Sequence, residues 1–111
     1  MGYSVIINGQ AEQDIKSAID YIEYSLFNQS AAMSLFNDLN EEIDRISQNP
    51  DIFAVIDDPV LKAAGVRSAM VGNYLLFYSF SRENRTVTIY RFLHGKRNWM
   101  SILRQSFTIT D

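Results

Sequence analysis

The apolar residues of this 111-residue chain recur at two different periods, and the change between them near Gly65 restricts the folds open to it. Before that point they recur at steps of three and four, which predicts amphipathic helices. After it they alternate with polar residues, which predicts half-buried strands. Two helices followed by three strands are typical of an α+β domain.

The helical half begins with a short β-branched segment, "YSVIIN", which predicts a strand over residues 3–8 that stops at Asn8-Gly9. The spacing then predicts one helix over 11–27 and a second helix that ends at Asn49-Pro50, with Asn28 and Ser30 as capping residues between them. Because so few residues separate the two helices, they are expected to form an antiparallel hairpin.

The second half contains three alternating segments, "GVRSAMV", "YLLFYSF" and "TVTIYRFLH", joined by short turns. They predict an antiparallel meander, followed by a short helix over about 97–107 that Trp99 docks onto the sheet. The residues between the prolines of "PDIFAVIDDP" are expected to form an ordered connection. The prediction is a single domain over residues 1–111, of order β-α-α-β-β-β, with the hairpin on one face of an antiparallel sheet and the other face open.

Composition excludes several classes of function. The chain has no cysteine and one histidine, which rules out disulfides, a thiolate nucleophile and a histidine-rich metal site, and we expect no cofactor. It also lacks an apolar run of roughly 18 residues, the minimum for a membrane span. We therefore expect a cytoplasmic protein with no membrane association.

The net charge of −3 conceals an asymmetry between the two halves. Residues 1–59 contain two basic and eleven acidic side chains, a net charge of −9, whereas residues 60–111 contain eight basic and two acidic, a net charge of +6. One interpretation is a basic face that binds an anionic partner, either nucleic acid or an acidic protein segment. The alternative is that the two halves neutralise each other on folding.

Two segments, "VRSAMVGNYLLFYSF" and "TVTIYRFLHGKRNW", carry a family resemblance. An arginine precedes a strand that reads Gly-x-Tyr followed by apolar residues and a second Tyr, and the last strand ends in His-Gly-basic-Arg. Together with the order of elements, this pattern resembles the RelE/ParE superfamily of bacterial type II toxins over nearly the whole chain. The positions that match are Arg67, Gly72, Tyr74, Tyr78, His94, Gly95, Lys96 and Arg97.

The resemblance implies a RelE/ParE-like fold and a toxin that a cognate antitoxin holds inactive, with operator DNA bound only through the antitoxin. It leaves the target open between two mechanisms. RelE-like members cut messenger RNA on the ribosome, whereas ParE-like members poison DNA gyrase. A third possibility is a non-toxic member that acts only as a binding module or co-repressor with its antitoxin.

RNA cleavage by the 2′-hydroxyl needs a general base, a general acid and cations near the phosphate. If the protein is a nuclease, Arg67, His94 and Arg97 are the expected catalytic residues, since His94 is the one side chain whose ordinary pKa lies near neutrality. If it is not, His94 is a turn residue. The expected target-binding residues are Arg67, Arg91, Lys96 and Arg97, with Arg91 on the open face of the sheet.

Two departures from the RelE-like pattern favour the ParE-like branch. RelE-like nucleases that resemble this chain carry an arginine immediately after the tyrosine that follows the glycine, where Leu75 stands, and a tyrosine six residues beyond the position of Arg97, where Leu103 stands. Leucine can neither donate a proton nor offset phosphate charge. The sequence therefore favours inhibition of gyrase by binding, with RNA cleavage as the alternative. Gly95 is expected to adopt a positive φ in the turn between strand and helix.

Overall fold

The computed structural model describes residues 2–107. These residues form helices and strands in the predicted α+β order. Strand β1 (Ser4–Ile7) leads into helix α1 (Gly9–Asp20), which continues as a π-helical turn (Tyr21–Ser25), and helix α2 (Gln29–Gln48) follows. The second half contains the short helix α3 (Pro59–Ala63), the strands β2 (Arg67–Val71), β3 (Tyr74–Ser81) and β4 (Thr86–His94), and helix α4 (Trp99–Phe107).

The four strands form one sheet in the order β1-β4-β3-β2. Strands β2, β3 and β4 pair antiparallel, as their short turns predicted. Strand β1 joins the free edge of β4 in parallel, with Ser4 opposite Thr86 and Ile7 opposite Ile89. This pairing refines the predicted antiparallel sheet: β1 can be parallel because the whole helical hairpin, rather than a tight turn, separates it from the meander.

The helical hairpin packs on one face of the sheet, as predicted. The Oδ1 of Asn8 accepts a hydrogen bond from the Ala11 amide at the start of α1, and Asn28 caps α2 in the same way. Ser30, the other predicted cap, lies inside α2. The buried stripe of α2 lies against the sheet in a core cluster that includes Leu35, Leu39, Ile46, Tyr78, Val87 and Ile89.

The second face of the sheet is covered, which corrects the expectation of an open face. Helix α4 places Leu103 in a second buried cluster with Phe77 and Leu93, and the rings of Trp99 and Phe77 lie 5.3 Å apart. Trp99 therefore docks α4 on the sheet, as predicted. The face is covered because α4 presents an apolar stripe that has no other surface to bury.

Among residues 2–107, no helix combines the length and the apolar character needed to cross a bilayer.

Candidate functional site

The basic segment after β4 is a turn, not the start of a helix. The Gly95 amide donates a 2.8 Å hydrogen bond to the Asn73 carbonyl, which ties this turn to the turn between β2 and β3. Gly95 does not have the positive φ that the sequence predicted; left-handed glycines occur at Gly65 and Gly72. A Cβ on Gly95 would lie 3.3 Å from the Asn73 carbonyl oxygen, so close backbone approach explains the glycine.

His94 is held by two contacts at the end of β4. Its ring lies edge-on to Tyr74 with 5.1 Å between centroids, and Nδ1 accepts a 3.1 Å hydrogen bond from the Lys96 amide. An Nδ1 atom that accepts carries no proton, so the neutral ring carries its proton on Nε2. His94 thus uses the lone pair of Nδ1 to order the turn.

Lys96 and Arg97 are both exposed. Within residues 2–107 neither side chain has a hydrogen-bond or ion-pair partner. Arg97 lines one groove and Lys96 lines a neighbouring one, and the two grooves share Tyr74 and His94.

The first of these grooves, with a volume of about 420 Å³, lies between α1 and the end of β4. Its lining includes Asp14, Ser17 and Tyr21 of the helical segment as well as Arg97. The second, of about 360 Å³, opens towards Met70 and Leu75 and has Lys96 at its edge.

Arg67 does not join this site. It pairs with Tyr78 across the sheet, whereas His94 pairs with Tyr74, which lies four residues earlier in β3 and roughly 13 Å away along the strand. Its Nη1 donates to the Phe53 carbonyl, and its guanidinium lies 5.1 Å from the centre of the Phe80 ring. The predicted nuclease set of Arg67, His94 and Arg97 is therefore not assembled.

Arg91 is engaged within the fold and does not present its guanidinium on an open face. Its Nε and Nη2 donate to the two carboxylate oxygens of Asp14 at 2.6 and 3.0 Å, and only 15% of its side chain is exposed. The Phe92 amide donates to the same carboxylate, at the edge of β4 where β1 has ended. The register places Arg91 opposite Phe77 of the α4 cluster, but β1 ends opposite Ile89, which leaves the adjacent edge of β4 free for Asp14 of α1 to engage Arg91.

The three tyrosines of the sheet, Tyr74, Tyr78 and Tyr90, pack mainly within the fold. The Tyr78 hydroxyl donates to the Pro50 carbonyl at 2.8 Å, and burial raises the pKa of Tyr78 to about 12. Tyr90 shares a hydrogen bond with Ser79. Tyr74 stacks on Phe92 with 5.0 Å between ring centres and still borders both grooves.

Folding partly neutralises the charge asymmetry. Among residues 2–107, ion pairs join arginines of the basic half to the acidic half: Arg82 with Asp51, Arg91 with Asp14, and Arg104 with Asp58. The expected basic face is thereby reduced to a smaller area around the turn after β4. Within residues 2–107, no group of three or more histidine, aspartate or glutamate side chains could hold a metal ion.

The sequence reasoning missed the contribution of α1 to the site. Asp14, Ser17, Ala18 and Tyr21 follow one another at steps of three, one and three, so they share one face of the helical segment. A tyrosine and a serine on a face that is otherwise expected to be buried were the available signal.

Three solved structures share this fold at low sequence identity. The chromosomal ParDE system from P. aeruginosa aligns with a TM-score of 0.67 at 17% identity, covering 85% of this chain and 97% of that chain. The RelBE2 toxin-antitoxin complex from Mycobacterium tuberculosis aligns with a TM-score of 0.59 at 21% identity, covering 85% of this chain and 99% of that chain. The archaeal RelE-RelB complex from Pyrococcus horikoshii OT3 aligns with a TM-score of 0.59 at 18% identity, covering 87% of this chain and 99% of that chain.

At the level of sequence, no curated protein matches the chain. A family model does match: the ParE toxin of the type II toxin-antitoxin system parDE, over residues 5–99. That match includes the helical hairpin, all four strands and the basic turn. The chain therefore belongs to the ParE toxin family of type II toxin–antitoxin systems.

Proposed function

We propose that this toxin inhibits DNA gyrase by binding, without nuclease chemistry, and that a cognate antitoxin neutralises it. The observation that carries the proposal is the burial of Leu103, which is fully inaccessible between α4 and the sheet. RelE-like nucleases carry a tyrosine at this position. Here the position belongs to the hydrophobic core, and Leu75, which replaces the expected arginine, packs against the same cluster.

The geometry of His94 supports the same proposal. A general base needs a free lone pair directed at the substrate. The lone pair on Nδ1 accepts the Lys96 amide, and Nε2 carries the proton of the neutral ring. His94 is therefore a turn residue in this proposal, and it has no role in proton abstraction.

The proposed contact with the target is the turn that contains Lys96 and Arg97. Both cations are exposed, and they flank two concave grooves, so an acidic surface could approach them without breaking an existing ion pair of residues 2–107. Arg67 and Arg91 are excluded from this contact because each is engaged within the fold.

The proposed antitoxin contact is an apolar area on the tip and outer side of the helical hairpin. This hairpin patch consists of Tyr24, Leu26, Phe27, Met33 and Phe36, each with about half or more of its surface exposed. Residues 24–37 contain no charged side chain. An amphipathic helix of the antitoxin would bury this patch, and acidic residues in it would pair with the basic turn.

The test pairs two assays on the purified chain. In a supercoiling assay with purified gyrase we expect inhibition, which the double substitution Lys96→Ala and Arg97→Ala abolishes and Lys62→Ala leaves intact. His94→Gln should inhibit as well as the unmodified chain, because glutamine retains an N–H donor and no proton transfer is needed.

The second assay is cell-free translation with messenger ends mapped at nucleotide resolution. We expect intact messages. Codon-phased cuts on translated messages, lost by about 100-fold or more in His94→Gln, would establish the ribosome-dependent nuclease and reject the proposal.

A further inference from the structure

The groove between α1 and the end of β4 combines side chains from both halves of the chain. Ser17 and Tyr21 lie one helical turn apart on α1 and its π-helical extension. Tyr74 and His94 come from paired strand ends, and Arg97 comes from the turn. Because these side chains line one groove, they could contact a common ligand.

The carboxylate that borders the groove, Asp14, is paired with a guanidinium. Asp14 Oδ2 accepts from Arg91 Nε at 2.6 Å and from the Phe92 amide at 3.1 Å, and Oδ1 accepts from Arg91 Nη2 at 3.0 Å. The charge of Asp14 is thus compensated by Arg91, and both of its oxygens are already occupied.

The other polar side chains of the groove are available as donors. Within residues 2–107, the hydroxyls of Ser17, Tyr21 and Tyr74 have no hydrogen-bond partner. His94 lines the groove with a ring whose neutral form carries its proton on Nε2, and Arg97 is exposed. Burial, and to a lesser degree the neighbouring Tyr21, raise the pKa of Tyr74, so its hydroxyl keeps its proton at neutral pH.

We propose that this groove binds an oxyanion, the phosphate or carboxylate group of a larger molecule. The group would accept hydrogen bonds from the tyrosine and serine hydroxyls and from His94, while Arg97 supplies the positive charge. The volume of about 420 Å³ lies in the range of small-molecule sites and leaves room beside the anion for an apolar or aromatic body against Ala18 and Phe92.

The chemistry is shared by two sources, a nucleotide phosphate and an acidic side chain of a protein, and the test separates them. Binding to the purified full chain is measured by calorimetry and by amide chemical shifts for inorganic phosphate, adenosine 5′-monophosphate and N-acetylaspartate amide, with adenosine as the neutral control. We expect saturable binding of at least one anion, with shifts confined to residues around Ser17, Tyr74 and Arg97.

Preference for the nucleotide would assign the site to a phosphate, and preference for the aspartate derivative would assign it to an acidic protein segment. Binding of adenosine as tight as that of the monophosphate would overturn the oxyanion assignment. So would the absence of saturable binding by all three anions.

Matched substitutions locate the site. Arg97→Gln should weaken binding by about 10-fold or more, and Tyr21→Phe by about threefold to tenfold, because each removes a donor and leaves most of the side chain in place. Lys62→Gln and Tyr24→Phe are the controls, since they remove a positive charge and a phenol outside the groove. Equal binding by Arg97→Gln and Lys62→Gln would reject the site. The readout is binding to the chain alone, so the result is independent of whether gyrase is the target.

Discussion

Two arginines contact the same phenylalanine, but only one of them is expected to stabilise the fold. The guanidinium carbons of Arg67 and Arg82 lie 5.1 and 5.2 Å from the Phe80 ring centre. Arg67 also donates to the Phe53 carbonyl from a half-buried position, whereas Arg82 pairs with Asp51 at the surface.

We expect Arg67→Met to lower the free energy of unfolding by about 1–3 kcal/mol, because the Phe53 carbonyl loses its charged donor. Arg82→Met should lower it by clearly less than Arg67→Met, since exposed pairs contribute little. Urea denaturation measures both. Equal losses would mean that Arg67 is no more structural than a surface arginine, and would restore it as a target contact.

Phe27 has an unusual backbone conformation and an unusually exposed side chain. Its φ of 51° is left-handed, a conformation that a bulky side chain rarely adopts, and 88% of its surface is exposed. The fold gains little packing from this side chain, which is consistent with its proposed role in antitoxin binding.

Phe27→Asn should raise the free energy of unfolding by about 1 kcal/mol, because asparagine tolerates the left-handed region better than phenylalanine. The adjacent Leu26, with a φ of −97°, is the control: Leu26→Asn should bring no gain. Thermal and urea unfolding of the two variants check this expectation. A loss of stability in Phe27→Asn would show that the ring packs on the hairpin in solution.

Among the helices and strands, one ion pair joins the first helix to the sheet. Asp14 of α1 and Arg91 of β4 are both largely buried, with 9% and 15% of their side chains exposed. Asp14→Asn leaves the guanidinium without its counter-charge, and we expect a loss of about 3–5 kcal/mol in the free energy of unfolding.

The matched control for this substitution is Asp20→Asn, which breaks the exposed pair with Lys16 on the same helix and should cost about 0.5 kcal/mol or less. Replacing both buried partners, with Asp14→Leu and Arg91→Met, should cost less than Asp14→Asn alone, because no unpaired charge remains. If the double variant is the least stable, the ion pair contributes more to the free energy of unfolding than the neutralisation of each buried charge by the other.

A second carboxylate, that of Asp58, links α3 to α4 on the face of the sheet opposite the helical hairpin. Asp58 caps α3 by accepting from the Val60 and Leu61 amides, and it accepts from Arg104 of α4. The hydrogen bond from Arg104 is the main cause of a lowered Asp58 pKa, and the backbone amides add to it.

A carboxyl group with a lowered pKa in the folded state stabilises the fold above its unfolded pKa of about 4, and this contribution is lost as pH falls through the folded value. The urea midpoint should therefore fall on acidification below about pH 4, and it should fall less steeply in Asp58→Asn. Asp57→Asn, which changes the exposed neighbour, should keep the slope of the unmodified chain. Parallel curves for all three proteins would contradict the assignment.

For the molecule as a whole, the opposite charges of the two halves have two consequences. Among residues 2–107, the Arg91–Asp14 pair joins the hairpin to the sheet, and Arg82 and Arg104 pair with Asp51 and Asp58, while the side chains of Lys96 and Arg97 have no ion-pair partner. This leaves a localised positive area on an acidic protein.

We expect the association rate with gyrase to fall as salt rises, because the Debye length shortens from about 10 Å at 0.1 M to about 3 Å at 1 M. The variant with Lys96→Ala and Arg97→Ala should show a much weaker salt dependence than the Lys62→Ala control. Stopped-flow or surface-binding kinetics at several salt concentrations measure the difference. If the double variant kept the full salt dependence, the contact with the target would have to lie outside the turn.

Local sequence is sufficient to predict the strands, the hairpin helices, the final helix and their order, because amphipathic period, caps and turn residues act within a few residues of one another. It does not predict the short helix α3. Asn28 as a cap and Trp99 as the anchor of the last helix follow from local chemistry alone. The two leucines that argue against a nuclease, Leu75 and Leu103, can also be identified from the residues alone.

The packing of the elements on one another decides which basic residues remain available and which donors share a groove. Arg67 and Arg91 look like binding residues in a list of charges, but partners distant in sequence, the Phe53 carbonyl and Asp14, engage them. Tyr21 joins Arg97 only because the hairpin packs over the end of β4. Such pairings depend on contacts between residues as many as 77 positions apart, and local sequence patterns carry no information about them.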